Sequence, residues 1–361
     1  MIRDKSFTSI LMQWDKNENH RKMPWKGEKD PYKVWVSEII LQQTRVEQGW
    51  MYYERFLIQF PDLISLAKAK DDDVFKLWEG LGYYSRCKNL IHTARYIYDN
   101  YEGKFPENYE DILSLKGIGP YTAAAIVSFC FNKPYAVLDG NVFRVLSRIS
   151  GNSIPIDSAE GKIWYTKLAD KLLDKILPGK YNQAIMDFGA TICKPMLPLC
   201  AACPANNICV AYDKTMVNIL PVKEKVLKKR IRWFSYFIIK AEGKVLVRKR
   251  TENDIWQNLF EYFLIETPAN PEWDFSAIST LFKTQLGINH LTISNISVAK
   301  PQQLTHQLIK GYFVHLEFSS MPEVLKSKNA MWLTDTAVSN LPFPKFINEY
   351  FSSPKSPPAL F

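Results

Sequence analysis

The chain has 361 residues, 47% of them apolar, and a formal net charge of +9. That length suggests roughly two or three domains with sizeable cores, and the composition excludes a globally disordered chain. The positive balance favours a polyanionic partner without naming one. Residues 1–17, MIRDKSFTSILMQWDKN, lack a signal-peptide pattern, and no apolar run is long enough to span a bilayer. A cytoplasmic setting with no membrane partner is expected.

Residues 1–210 read as mostly helical. Helical patterns cover 33–60 with a break near Trp50, then 73–80, 86–100, 109–114, 121–131, 141–149, 159–175 and 181–190. Turn signals separate them at Phe60-Pro61, Gly80-Leu81-Gly82, Lys116–Pro120 and Gly151-Asn152. The character then changes. Residues 211–250 hold twelve Lys or Arg against three Asp or Glu, a surplus of nine. This stretch opens as a basic linker, 211–230. Short β-type runs follow within 231–352, which reads as a separate α+β domain. The tail, 353–361, is expected to be loosely attached.

Within the helical part, Leu115-Lys116-Gly117-Ile118-Gly119-Pro120 puts two glycines between two helices. Amides in such a turn and at the next helix start can hold a phosphate, as Lys116, Gly117 and Gly119 would here. An ordinary helix–helix turn is equally open. Asp139 starts the next amphipathic pattern, VLDGNVFRVL, either as a simple N-cap or as a partly buried anion. Glu38 lies in the apolar run WVSEIIL; facing inward, its carboxyl would be pushed up and could donate a proton, and facing outward it is merely solvated. Gln42 and Gln43 follow it and suit reading bases or wedging into a duplex, with a plain surface role also open. Cutting an N-glycosidic bond needs a proton for the departing base and a carboxylate for the sugar cation, work that two carboxyl groups can divide. Glu38 and Asp139 are the candidates.

Cys193, Cys200, Cys203 and Cys209 give C-x6-C-x2-C-x5-C. Four thiols this close in a reducing cell imply a metal centre. The spacing favours a 4Fe–4S cluster over structural zinc, in a structural role.

The hairpin, the Asp139 helix and the cysteines together resemble the endonuclease III superfamily, and within it the adenine DNA glycosylases. RKMPW at 21–25, SEIILQQTRV at 37–46, WEGLGYYSRCKNL at 78–90, LKGIGPYTAAAI at 115–126 and VLDGNVFRVLSR at 137–148 carry the resemblance. It implies a mostly α-helical helix-hairpin-helix glycosylase core with an iron–sulfur loop. It implies a monofunctional enzyme that removes adenine opposite 8-oxoguanine or guanine in double-stranded DNA during base excision repair. By the same resemblance Glu38 is the general acid and later activates water, and Asp139 stabilises the sugar cation through a transient covalent adduct. Tyr121 and Asn141 organise that centre, Arg21 and Trp25 hold the flipped adenine, and Gln43 and Tyr83 wedge at the lesion. Lyase members carry a lysine where this chain has Tyr121, which argues against Schiff-base chemistry.

The C-terminal part resembles the family's Nudix-like domain that recognises 8-oxoguanine, on WQNLFEYFLIET at 256–267 and LTHQLIKGYFVHLEF at 304–318. No glutamate-rich Nudix box is visible. Thr305 and His306 stand where the family often has Ser-His and are candidate readers of the oxidised base. A monomer is expected, its linker open to other repair proteins. Two readings compete: a glycosylase/lyase for oxidised pyrimidines, and a non-enzymatic DNA damage-binding module.

Overall fold

A computed structural model describes residues 4–224, 229–325 and 329–352. The chain divides into two compact units, 1–68 with 89–226, and 69–88 with 227–361. The first unit extends past a boundary at 210 because the start of the linker packs: Leu220 is buried and the Val222 carbonyl accepts from the Ile156 amide at 3.0 Å. The expectations for 225–228 and the tail lie outside the described residues. Among the described residues no helix is long and apolar enough to cross a membrane.

In chain order the helices are α1 Asp4–Asn17, α2 Pro31–Leu41, α3 Val46–Gln59, α4 Leu63–Lys68, α5 Asp71–Leu77, α6 Tyr84–Asn100 and α7 Tyr109–Ser114. Then come α8 Pro120–Phe131, α9 Gly140–Ser150, α10 Ala159–Leu172, α11 Pro178–Thr191 and the short α12 Val210–Asp213. The division between units falls within α6. The expected break near Trp50 is displaced. It falls between Leu41 and Val46, where Gln43 takes a positive φ of 57°, and Trp50 lies inside α3. Gly49 has weak helix propensity, but packing of α3 on α2 carries the helix through it. Helix α1 falls outside the expected patterns. It forms because Phe7, Leu11 and Trp14 share one face, and Phe7 and Trp14 meet the Phe188 ring of α11 edge-on. Helix α8, PYTAAAIVSFCF, is buried along Thr122–Ser128 and forms the spine against which α2 and α11 pack.

The second unit holds one eight-stranded sheet: β1 Arg230–Ala241, β2 Lys244–Lys249, β3 Phe260–Glu261, β4 Phe263–Thr267, β5 Thr292–Val298, β6 Gln302–Gln303, β7 Gln307–Phe318 and β8 Ala330–Leu333. Strand β1 is central, antiparallel to β2 and β4 and parallel to β7 from Arg230↔Gln307 to Ala241↔Phe318. Side chains alternate along it. Phe237 and Ile239 face α13 (Phe275–Leu286) through Ile278 and Phe282. After α14 (Asp335–Ser339), α15 (Lys345–Ser352) covers the other face, where Phe346 meets Tyr236 and Phe313. Residues 69–88 belong to this unit. Lys76 Nζ donates to the Leu341 carbonyl at 2.9 Å, the Phe343 amide donates to Glu79 at 2.8 Å, and Lys88 donates to Gln257 at 2.9 Å.

Candidate active site

Helix α2 is held at its start by Asp30, whose carboxylate accepts from the Tyr32 amide. Its apolar residues bury almost the whole surface, and Glu38 goes inward with them, only 6% exposed. The inward reading of the sequence therefore holds. Tyr121, in the first turn of α8, donates its hydroxyl to Glu38 Oε2 at 2.7 Å and also approaches Met186 Sδ at 3.3 Å. Burial pushes the Glu38 carboxyl up, the Tyr121 hydrogen bond pulls it down and the nearby Asp139 charge pushes it up again, which leaves it raised to about 7. Burial and the two carboxylates likewise raise the Tyr121 phenol, which stays a donor.

Asp139 satisfies both of its readings. Its Oδ1 caps α9 by accepting from the Val142 amide at 2.7 Å, and its Oδ2 accepts from Asn141 Nδ2 at 2.6 Å. Burial raises its carboxyl, while these bonds and the Arg144 charge lower it, so that the net shift is upward. Asn141 is fixed in turn by Arg144, which donates to its side-chain oxygen at 2.9 Å and to the Gly189 carbonyl at 2.7 Å. A Cβ on Gly189 would lie 2.8 Å from that of Asn141, so this crossing of α9 and α11 requires glycine. Glu38, Tyr121, Asp139 and Asn141 thus form one electrostatically linked group.

A cavity of about 260 Å³ opens beside Glu38, lined in part by Trp25, Lys26, Val34, Ser37 and Gln183. Trp25 sits edge-on to Tyr53 and is 7% exposed. Arg21 does not line the cavity. It pairs at 2.8 Å with Asp187, a fully buried carboxylate that also pairs with Lys26 at 2.8 Å and accepts from Asn19 and Gln183. Sequence reasoning missed Asp187 and Lys26. The signal was present, because Asp187 is a lone carboxylate in the apolar run AIMDFGA, just as Glu38 is in its own.

The hairpin buries Leu115 and Ile118 and leaves Lys116 and Gly117 exposed. Gly117 has a φ of +83°, and a Cβ there would lie 2.6 Å from Asn89 Cβ. The turn thus aims its backbone outward at the start of α8, with Gly119 as N-cap. Gln43 is exposed just beyond α2, with Gln42 at its C-cap.

In the second unit Tyr83 follows Gly82, both at positive φ, and its hydroxyl contacts that of Thr305. Thr305 and His306, although they lie in the run LTHQLIKGYFVHLEF, are not part of a strand. They occupy the turn between β6 and β7, closed by the Leu304 amide donating to the Gln307 carbonyl at 2.8 Å.

The four cysteines line one small cavity of about 30 Å³ together with Arg148, whose guanidinium donates to Cys193 Sγ at 3.4 Å and to the Lys194 carbonyl at 2.7 Å. Among the described residues no three His, Cys, Asp or Glu side chains are gathered closely enough to share one metal ion.

The family model described as HhH-GPD superfamily base excision DNA repair protein matches residues 36–160, which include Glu38, the hairpin and Asp139. The adenine DNA glycosylase of Buchnera aphidicola subsp. Acyrthosiphon pisum (strain APS) is 39% identical over 262 residues, covering 70% of this chain and 73% of the relative. That of Arabidopsis thaliana is 32% identical over 349 residues, covering 85% of this chain and 54% of the relative. The solved structure of a thermostable thymine-DNA glycosylase aligns with a TM-score of 0.55 at 30% identity, covering 58% of this chain and 97% of that one. The helical core therefore has the fold of helix-hairpin-helix glycosylases, and the chain belongs to the adenine DNA glycosylase family of base-excision-repair enzymes.

Proposed function

We propose that this enzyme hydrolyses the N-glycosidic bond of adenine opposite 8-oxoguanine in duplex DNA, and of adenine opposite guanine more weakly. The observation that carries the mechanism is the buried Glu38 carboxyl, held by Tyr121 and within reach of the Asp139 charge. The flipped base enters beside Glu38. Glu38 gives its proton to a ring nitrogen, the glycosidic electron pair leaves with the base, and the Asp139 carboxylate stabilises the cation left on the sugar. Water then adds to the anomeric carbon and returns its proton to Glu38. Asn141 holds Asp139 in place and Arg144 holds Asn141. Trp25 supplies an apolar wall for the base, and Lys26, which also lines the cavity, is held with Arg21 by Asp187. The test is free adenine released from an adenine·8-oxoguanine duplex without strand cleavage. Efficient borohydride trapping on abasic DNA would favour the lyase reading instead; Tyr121, a phenol and not an amine, speaks against it.

The sheet of the second unit, flanked by α13 and α15, supports a Nudix-like reading. The Tyr83–Thr305 contact supports a reader of 8-oxoguanine made from both segments of this unit. Replacing Thr305 and His306 together by Ala is expected to narrow the preference for adenine·8-oxoguanine over adenine·guanine by about 1–3 kcal/mol. Single-turnover rates on both duplexes at one salt concentration check this, and an unchanged ratio would remove the pair from recognition.

Four soft donors lining one cavity suit a metal centre, and their C-x6-C-x2-C-x5-C spacing favours a 4Fe–4S cluster over zinc. Cys193, Cys200, Cys203 and Cys209 would hold it, and Arg148 would offset their charge. When bound, the cluster supplies cross-linking of the 193–209 loop and no step of the hydrolysis. Anaerobically purified protein is expected to carry about four irons per chain; one zinc and no iron would overturn the assignment.

A further inference from the structure

The cavity beside Glu38 does not end at Glu38. Tyr121 and Phe129 lie eight residues apart on α8, about 12 Å along the helix at ~1.5 Å per residue. Tyr121 bonds Glu38, and Phe129 lines the far part of the cavity. On α2 the cavity likewise runs from Glu38 back past Val34, towards the helix start. The two helices are antiparallel here, since Lys29, just before α2, donates to the Phe129 carbonyl near the end of α8 at 2.6 Å. The residues suited to DNA contact sit at the opposite end of this pair. Gln42 and Gln43 follow the end of α2, and Lys116–Gly119 precede the start of α8. None of them lines the cavity, whereas the exposed residues Gly27, Lys29 and Lys180 do.

We propose that this cavity is an exit passage. It leads from Glu38 to a rim at Gly27, Lys29 and Lys180, away from the DNA-contacting end, and lets the cut adenine leave while the abasic DNA is still bound. The inference rests on the proposed function. Its volume exceeds what one or two ordered waters need. Its wall offers the apolar faces of Trp25, Val34 and Phe129 beside the polar groups of Ser37 and Gln183, which suits a small, neutral, flat heterocycle.

The test uses the full chain in excess over a duplex carrying radiolabelled adenine opposite 8-oxoguanine. Rapid ultrafiltration retains the enzyme–DNA complex, and alkali counts abasic sites. For the unaltered protein, labelled adenine should reach the filtrate as abasic sites form, before the product DNA exchanges with a competitor duplex. Lys29→Trp, Lys180→Trp and the double variant, all at exposed positions, should form abasic sites at the unaltered rate yet release adenine tenfold or more slowly. The corresponding alanine variants should release it normally. Adenine that emerges only together with the product DNA, or tryptophan variants that release it as fast as the unaltered chain, would overturn the passage. Absence of alkali-labile sites in the unaltered protein would instead count against the proposed function.

Discussion

Glu38→Gln is expected to lower single-turnover release of adenine by roughly 10²- to 10⁴-fold, the usual contribution of a positioned general acid. The amide keeps the size of the side chain and can still accept the Tyr121 hydroxyl at the Oε2 position, so the pocket and duplex binding should survive. What it cannot do is lose a proton to the base. Asp139→Asn is expected to cause a loss of similar order for a different reason. Asn is as good an N-cap as Asp, so α9 should still start at Gly140. The negative charge that faces the sugar cation is gone. The pH profiles separate the roles. Base release by the unaltered enzyme should fall as pH rises through about 7, where Glu38 ionises, and should fall again in acid as Asp139 becomes protonated. Residual activity of Glu38→Gln should lack the alkaline limb. Near-normal excision by either variant, or an alkaline limb that persists without Glu38, would remove that residue from its role.

Much of this centre was legible because its signals are local. A lone carboxylate in an apolar helix, an Asp at a helix start and two glycines in a turn each carry a meaning of their own. Whether Glu38 faced inward was not legible, because apolar residues surround it on every side of α2 and periodicity has nothing to work on. Its direction is set by α8, eighty residues away, through Tyr121. Asp187 carried the same signal as Glu38 but no recognised neighbour. Its partners Arg21 and Lys26 come from a loop some 160 positions earlier. Membership of 69–88 in the second unit was equally hidden. It depends on the carbonyl of Leu341, the amide of Phe343 and the side chain of Gln257, none of which the local pattern of WEGLGYYSRCKNL announces. The turn at Thr305-His306 was hidden by the apolar alternation of β7 just after it, which reads as if the strand began earlier.

Glu38→Gln should also make the first unit more stable, by about 3 kcal/mol at pH 8 and by less than about 1 kcal/mol at pH 5. The carboxyl is buried among Val34, Ser37 and Ile39 and their neighbours on α2, and folding raises it from an ordinary 4.5 to about 7. Below 4.5 it is protonated in both the folded and unfolded chain, and its ionisation costs nothing. Between 4.5 and about 7 the unfolded chain releases the proton and the folded chain keeps it, so stability falls as pH rises. Above about 7 the cost is complete, at about 1.4 kcal/mol for each tenfold difference in proton affinity. Gln has no proton to lose and escapes it. The acid proposed to protonate the base would therefore be a standing strain on the fold, the kind of conflict expected at a catalytic site. Denaturant unfolding of both proteins at pH 5, 6, 7 and 8, followed by the signal of the helical unit, measures the difference directly. A gap between the two that does not widen with pH would mean that Glu38 is already ionised in the folded chain at neutral pH, and it could not then be the proton donor.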